Sequence, residues 1–191
     1  MALSAKQVFA LGTGRCGSTT FIHACSHITN FTSGHETRSR LLFENRLDYP
    51  PNHIEADNRL AWLLGRLDQR WGHSAYYVHL VRDREATARS FARRLDNKGS
   101  IIAAYRLAIL MGARDAEPLE ICRDYVDTVT TNIVLFLRDK PHVTVRLETA
   151  FNDFRYFWQW IGASGSLDAA LAEWNVRHNS SPPIDGPDVA Q

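Results

Sequence analysis

The segment Gly12-Thr13-Gly14-Arg15-Cys16-Gly17-Ser18-Thr19-Thr20 is the clearest piece of anion chemistry in the chain. Glycines let a backbone approach an oxyanion closely. Successive N–H groups at a helix N-terminus then point at it, where the helix dipole favours negative charge. The spacing from Gly12 to Gly17 matches the first part of a Walker A phosphate loop, but Ser18 stands where that loop has its lysine. The cation is instead Arg15, whose planar fork suits phosphate or sulfate. Thr19 and Thr20 add hydroxyls to the first helical turn. From residues alone, a kinase-type enzyme with a degenerate loop and a non-catalytic nucleotide-binding module both stay open, although the kinase needs a lysine and magnesium ligands that the sequence does not offer. His23 and His27 lie four apart on one helical face, but no third residue is spaced for zinc, so they read as helix packing.

The stretch GRCGSTTF resembles the 5′-phosphosulfate loop of sulfotransferases that use 3′-phosphoadenosine 5′-phosphosulfate (PAPS). That loop reads Lys or Arg, any residue, Gly, then Thr or Ser and Thr. The resemblance implies that Arg15, Cys16, Gly17, Ser18, Thr19 and Thr20 hold the cofactor. The 5′-phosphate would sit on the backbone of residues 17–19, with Arg15 at the sulfuryl group and the leaving oxygen. The same family ends a strand in an arginine and places a serine eight residues later, both on the 3′-phosphate. In VHLVRDREATARSF these are Arg82 and Ser90. Eight residues span roughly 12 Å of helix, and both loops would meet at the carboxyl ends of parallel strands. Val145-Arg146-Leu147-Glu148 is similar to the family's strand ending in Arg-Tyr-Glu, with Leu147 in place of the aromatic residue. Arg177-His178-Asn179 lies where a C-terminal segment closes over the cofactor.

Sulfuryl transfer, like phosphoryl transfer, is mostly positioning and charge stabilisation. A base must take the acceptor's proton, and cations must neutralise the leaving phosphate. Ser33-Gly34-His35-Glu36-Thr37-Arg38 resembles the GEETR-type segment of tyrosylprotein sulfotransferases, whose glutamate is the base. The resemblance implies Glu36 as base and His35 as its second. The alternative is a helix-start glutamate paired with Arg38 or Arg40. Protein tyrosine as acceptor does not carry over to so short a chain. A hydroxyl or amine of a small molecule or carbohydrate is expected, with PAPS as co-substrate, 3′-phosphoadenosine 5′-phosphate (PAP) as product and no metal. His53, Glu55, Asp57 and Asn58 are candidates for the acceptor wall, Asp57 or Asn58 doubling as a helix cap.

Positioning these groups requires strands that stop where the loops start. Residues 7–11 form an apolar run that reads as a buried strand, with a helix from 17 or 18 to about 27. Residues 28–33 read as a second strand and 36–45 as helical. Residues 58–70 read as an amphipathic helix with Leu60, Leu63, Leu64 and Leu67 on one face. Residues 75–81 form the clearest strand, followed by a helix to about 95 capped by Asp83, with Glu85 in its first turn. Helices over 100–111 and 119–137, a strand over 142–147, and helices near 154–161 and 167–176 complete the pattern. Strands separated by helices imply crossovers. The expected fold is therefore α/β, three layers with a central, mostly parallel sheet, of the P-loop-like sulfotransferase type, in a single domain over 1–191.

Composition narrows the function classes. The chain has 191 residues, 45% hydrophobic and 23% charged, with a net charge of +1. These are values of a globular protein with a real core, and they exclude a disordered or fibrous chain. Near-zero charge argues against a nucleic-acid partner. The lysines are Lys6, Lys98 and Lys140, leaving 19 of the 22 basic residues as arginine. Cys16, Cys25 and Cys122 read as reduced thiols, so a cytoplasmic protein is expected. Neither a signal-peptide pattern at the N-terminus nor an apolar run long enough to span a membrane is present.

Overall fold

The computed structural model of the chain describes residues 6–112, 115–176 and 178. The apolar run forms β1 (Gln7–Leu11), buried along its whole length. It is followed by α1 (Ser18–Cys25), β2 (Thr32–His35), β3 (His53–Ala56), α2 (Leu64–Arg70), β4 (Tyr76–Val81) and α3 (Arg84–Ala92). Then come α4 (Ile101–Ala104), α5 (Pro118–Leu137), β5 (His142–Arg146), α6 (Ala150–Ile161) and α7 (Leu167–Ala172). The strands pair in the order β2-β3-β1-β4-β5, and every neighbouring pair is parallel.

Strand alternation divides the core into two layers. Phe9, Leu11 and Tyr77 face a cluster built on α2, α3 and α5, with Leu67, Phe91 and Tyr125. Val8, Ala10, Val78 and Leu80 face the other side, where α1, α6 and α7 supply Phe21, Phe154 and Leu171. The three-layer α/β/α architecture expected from the sequence is present. The chain leaves β1 for β3 and β2 on one flank and returns to β4 and β5 on the other. This reversal opens a crevice at the carboxyl end of β1. No helix of the described residues is long and apolar enough to cross a membrane.

The structure departs from the sequence reading at five places. The helix expected over 36–45 is a turn followed by a 3-10 segment, Phe43–Arg46. Leu41, Leu42 and Phe43 in this stretch are exposed. The segment is instead pinned by Arg46, whose buried guanidinium meets Asp57 Oδ2 at 3.0 Å. The second strand begins at Thr32 and not near 28, because Ile28 belongs to a turn bridged to Gly165. β3 was not foreseen, since His53 and Glu55 do not look like buried strand residues. Thr32 Oγ1 and His53 Nδ1 lie 2.8 Å apart, and the backbone N–H and hydroxyl of Thr37 both donate to Glu55, each at 2.7 Å. The helix expected over 58–70 splits into a 3-10 segment, Asn58–Trp62, and α2, while Leu60 and Leu67 still reach the core. The helix expected over 100–111 gives way after α4 to a π-helical turn, Tyr105–Ile109.

Candidate active site

A cleft of about 770 Å³ lies at the carboxyl end of the sheet. Residues just past every strand line it. Residues beyond β1 supply the glycine loop, β2 ends in His35 with Glu36 just past it, β3 runs on to Asn58 and Arg59, β4 to Arg82, and β5 to Leu147. This is where parallel α/β sheets bind ligands.

The loop is bent by left-handed residues. Gly17, at φ 90°, is the cap position of α1, and the cap has no side-chain hydrogen bond. The first turn carries no acidic residue, so the helix start is left favourable to an anion. Tyr125 of α5 fixes the loop from below by donating its hydroxyl to the Thr13 carbonyl at 2.7 Å. Ser18, Thr19 and Thr20 all line the cleft. The Cys16 side chain turns into the core, and burial pushes its thiol up to about 11. A thiol so raised is not a nucleophile at neutral pH, and any part Cys16 takes in holding an anion falls to its backbone.

Arg15 and Ser90, 75 residues apart, meet in the cleft. Arg15 Nε donates to Ser90 Oγ at 3.1 Å, and Arg82 Nη1 donates to the Arg15 carbonyl at 3.2 Å. Ser90 is buried on α3. The acids nearest Arg82 in sequence are engaged elsewhere: Asp83 caps α3 on the Ala86 N–H, and Glu85 takes Arg84 and Arg123. Arg93 and Arg94, from the end of the same helix segment, also line the cleft. Burial first, and then the charges of Arg94, Arg82 and Arg93, hold Arg15 below the ordinary arginine range. Like charges gathered at a helix start make a site that gains by receiving an anion. Arg93 and Arg94 escaped the sequence reading, although they lie three and four residues after Ser90 and so share its helical face.

His35 and Glu36 sit on the opposite wall. His35 Nε2 lies 3.1 Å from Ser18 Oγ. Glu36 takes a left-handed φ of 55°, as Arg15 does at 60°, and both are uncommon for residues with a side chain. The Glu36 N–H donates to the Ala56 carbonyl at 3.0 Å, and its half-exposed carboxylate pairs with Arg59 Nη1 at 2.7 Å. The partner is therefore neither Arg38 nor Arg40. Gly34 makes the turn possible: a Cβ there would meet Thr37 Cγ2 at 2.4 Å and Glu55 Oε2 at 2.9 Å. A second pocket of about 500 Å³ continues from this wall, lined by His35, Glu36, Thr37, Ser39, Arg40, Leu41 and Arg59.

The other candidates separate. His53, Glu55 and Asp57 are buried and do not line the cleft, whereas Asn58 does. Asp57 is a cap, accepting from the Arg59 N–H at 2.8 Å, and also takes Arg46 and Ser39. Glu148 is structural and accepts the Asp83 N–H at 2.8 Å. Trp174 closes the cleft beside Gly17, and among the described residues its buried indole N–H meets no acceptor. Arg177 and Asn179 lie outside the described residues, while His178 lines the cleft.

No family profile matches the chain, and no curated protein does. Among solved structures, a sulfotransferase domain from the curacin biosynthetic pathway matches with a TM-score of 0.62 at 13% identity, over 93% of this chain and 80% of that one. The likeness is one of fold.

Proposed function

We propose that the chain is a sulfotransferase that moves a sulfuryl group from PAPS to a hydroxyl of a small-molecule or carbohydrate acceptor. The observation that carries this reading is the meeting of two anion-binding segments in one cleft, joined by the Arg15–Ser90 hydrogen bond. A ligand with phosphate at both its 5′ and 3′ positions needs two such stations. The glycine loop offers one, and Arg82 with Ser90 offers the other. The fold likeness to a sulfotransferase domain supports the same reading.

When bound, the donor supplies an activated sulfuryl group whose bridging S–O bond breaks as an acceptor oxygen bonds to sulfur. In this reading the N–H groups of residues 17–19 hold the 5′-phosphate, and Arg15 neutralises the charge that builds on the leaving oxygen. Arg82 and Ser90 hold the 3′-phosphate. Glu36, oriented by Arg59, takes the proton from the acceptor hydroxyl. His35 fixes the Ser18 hydroxyl at the start of α1. Arginines and backbone N–H groups take the part that magnesium plays in kinases. The buried free thiols Cys16, Cys25 and Cys122 support a reducing, cytoplasmic setting.

The kinase reading is the less favoured one. Ser18 replaces the loop lysine, and Asp57, the buried acid at the β3 end, is held by Arg46 and Ser39. Calorimetric titration with PAP and with ATP–magnesium separates the two. Tighter PAP binding, lost when the 3′-phosphate is removed, is expected. Preference for ATP–magnesium would replace this reading with the kinase. Transfer or slow PAPS hydrolysis distinguishes the enzyme from a binding module: wild type turns over and Glu36→Gln does not.

A further inference from the structure

A second cluster of chemistry-bearing side chains lies where the turn after α7 packs on α1, at the edge of the cleft. His23 on α1, Glu173 just after α7 and His178 each bring one potential metal-ligating atom, and these atoms all lie within 4.8 Å of one another. His178 Nε2 is 3.0 Å from Glu173 Oε2. The His23 and His178 rings stack at 4.2 Å between centroids, tilted by only 10°. The other carboxylate oxygen, Oε1, is held at 3.0 Å by His27 Nε2. The sequence pairs His23 with His27 by helical spacing. The fold instead uses them at two levels, because α7 and the turn after it pack on α1.

We propose that His23, Glu173 and His178 form a site for one divalent transition-metal ion, zinc by its donor set, with His27 holding the carboxylate from behind. Two imidazoles and a carboxylate are a nitrogen–oxygen set that tetrahedral zinc accepts, with a fourth position for water. Ligand atoms bonded to one tetrahedral ion stand about 3.3 Å apart, given metal–ligand bonds of roughly 2 Å. The His178–Glu173 pair, at 3.0 Å, is close to that separation, whereas His23, exposed on its helix and within 4.8 Å, has to turn its ring out of the stack with His178 to join it. A hydrogen-bonded support behind a ligating carboxylate is the usual arrangement around a metal.

The site is structural in character. It ties the turn after α7 to α1, and that turn carries Trp174 and Val176 to the cleft wall, with His178 itself lining the same cleft. The ion would therefore act as a pin behind the cleft wall. Nothing in this assignment depends on sulfuryl transfer.

The test uses the full chain without a histidine tag, stripped with a chelator and titrated with Zn²⁺ by calorimetry and with Co²⁺ by visible absorption. Uptake of one ion per chain is expected, with the intense visible bands of tetrahedral Co²⁺ and a melting temperature that rises with zinc concentration. His23→Ala and His178→Ala should each abolish the cobalt bands, and His27→Gln should weaken affinity roughly ten- to a hundredfold. His23 is exposed, so its replacement leaves the fold intact, which the circular dichroism and zinc-free melting temperature of that variant verify. Absence of uptake at micromolar zinc overturns the proposal, as does binding that persists unchanged in both His23→Ala and His178→Ala. In either case His27–Glu173–His178 is a plain ion-pair clamp.

Discussion

The two walls of the cleft are built on opposite electrostatic plans. On the β1–β4 wall, Arg15, Arg82, Arg93 and Arg94 gather so closely that burial and mutual repulsion depress Arg15. On the β2–β3 side, Glu36 pairs with Arg59 at the wall, and behind it Asp57 pairs with Arg46 and Glu55 with Thr37 and His53. The first wall gathers like charge that an anion would offset. The second is neutralised internally and presents a carboxylate and an imidazole to whatever enters. On the proposed reading, a donor carrying several negative charges would sit on the first, and an acceptor that loses one proton on the second.

The contrast is sharpest in stability. Asp57→Asn removes the carboxylate facing the buried Arg46 guanidinium and should lower unfolding stability by about 3–5 kcal/mol, as breaking a buried pair does. Arg93→Ala, exposed on the arginine wall, should change it by no more than about 0.5 kcal/mol. Urea denaturation of the two variants measures both, and equal losses would erase the distinction between the walls. In turnover, Glu36→Gln should lower kcat by roughly 10²–10⁴-fold, the usual worth of a general base. Its PAP affinity should stay within error of wild type by calorimetry, because the donor wall is untouched. A weakened PAP affinity would move Glu36 to the donor side. Arg15→Ala should lower kcat by roughly 10²–10³-fold, the range for losing one donor to a developing oxyanion, as single-turnover kinetics would record. Arg82→Ala should weaken PAP by about 1.5–3 kcal/mol, the worth of a hydrogen bond to a charged group. Affinity unchanged in Arg82→Ala would remove the 3′-phosphate station from this wall.

What the sequence disclosed follows the same division. The donor wall is written locally: a strand, a glycine turn and a helix start lie within about a dozen residues, and Arg82 and Ser90 repeat that grammar once. The apolar runs of β1 and β4 made the parallel sheet legible for the same reason. The acceptor wall is written across the chain. β3 hid behind His53 and Glu55, whose burial is tolerable only because Thr32 and Thr37 arrive from β2 and the turn beyond it. The Glu36–Arg59 pair depends on the parallel register of β2 with β3, which sets His35 opposite Ala56 and brings the residues after each strand together. No local pattern encodes that register. Leu41, Leu42 and Phe43, apolar residues within the stretch read as helical, face outward instead. Arg93 and Arg94 were missed on the arginine wall, and their spacing from Ser90 was enough to find them.

The strand order carries one more consequence. β1 lies at the centre of the sheet with neighbours on both sides, whereas β2, only four residues long, is an edge strand paired on one side. Local opening follows burial and pairing. Amide hydrogens of Val8, Phe9 and Ala10 should therefore exchange only on global unfolding, and those of residues 33–36 through a cheaper, partial opening. If the proposed function holds, the donor is gripped by the stiffest part of the sheet and the acceptor is met by the softest. Under that function, mutational drift along the β2 edge would change what is accepted without loosening what is donated.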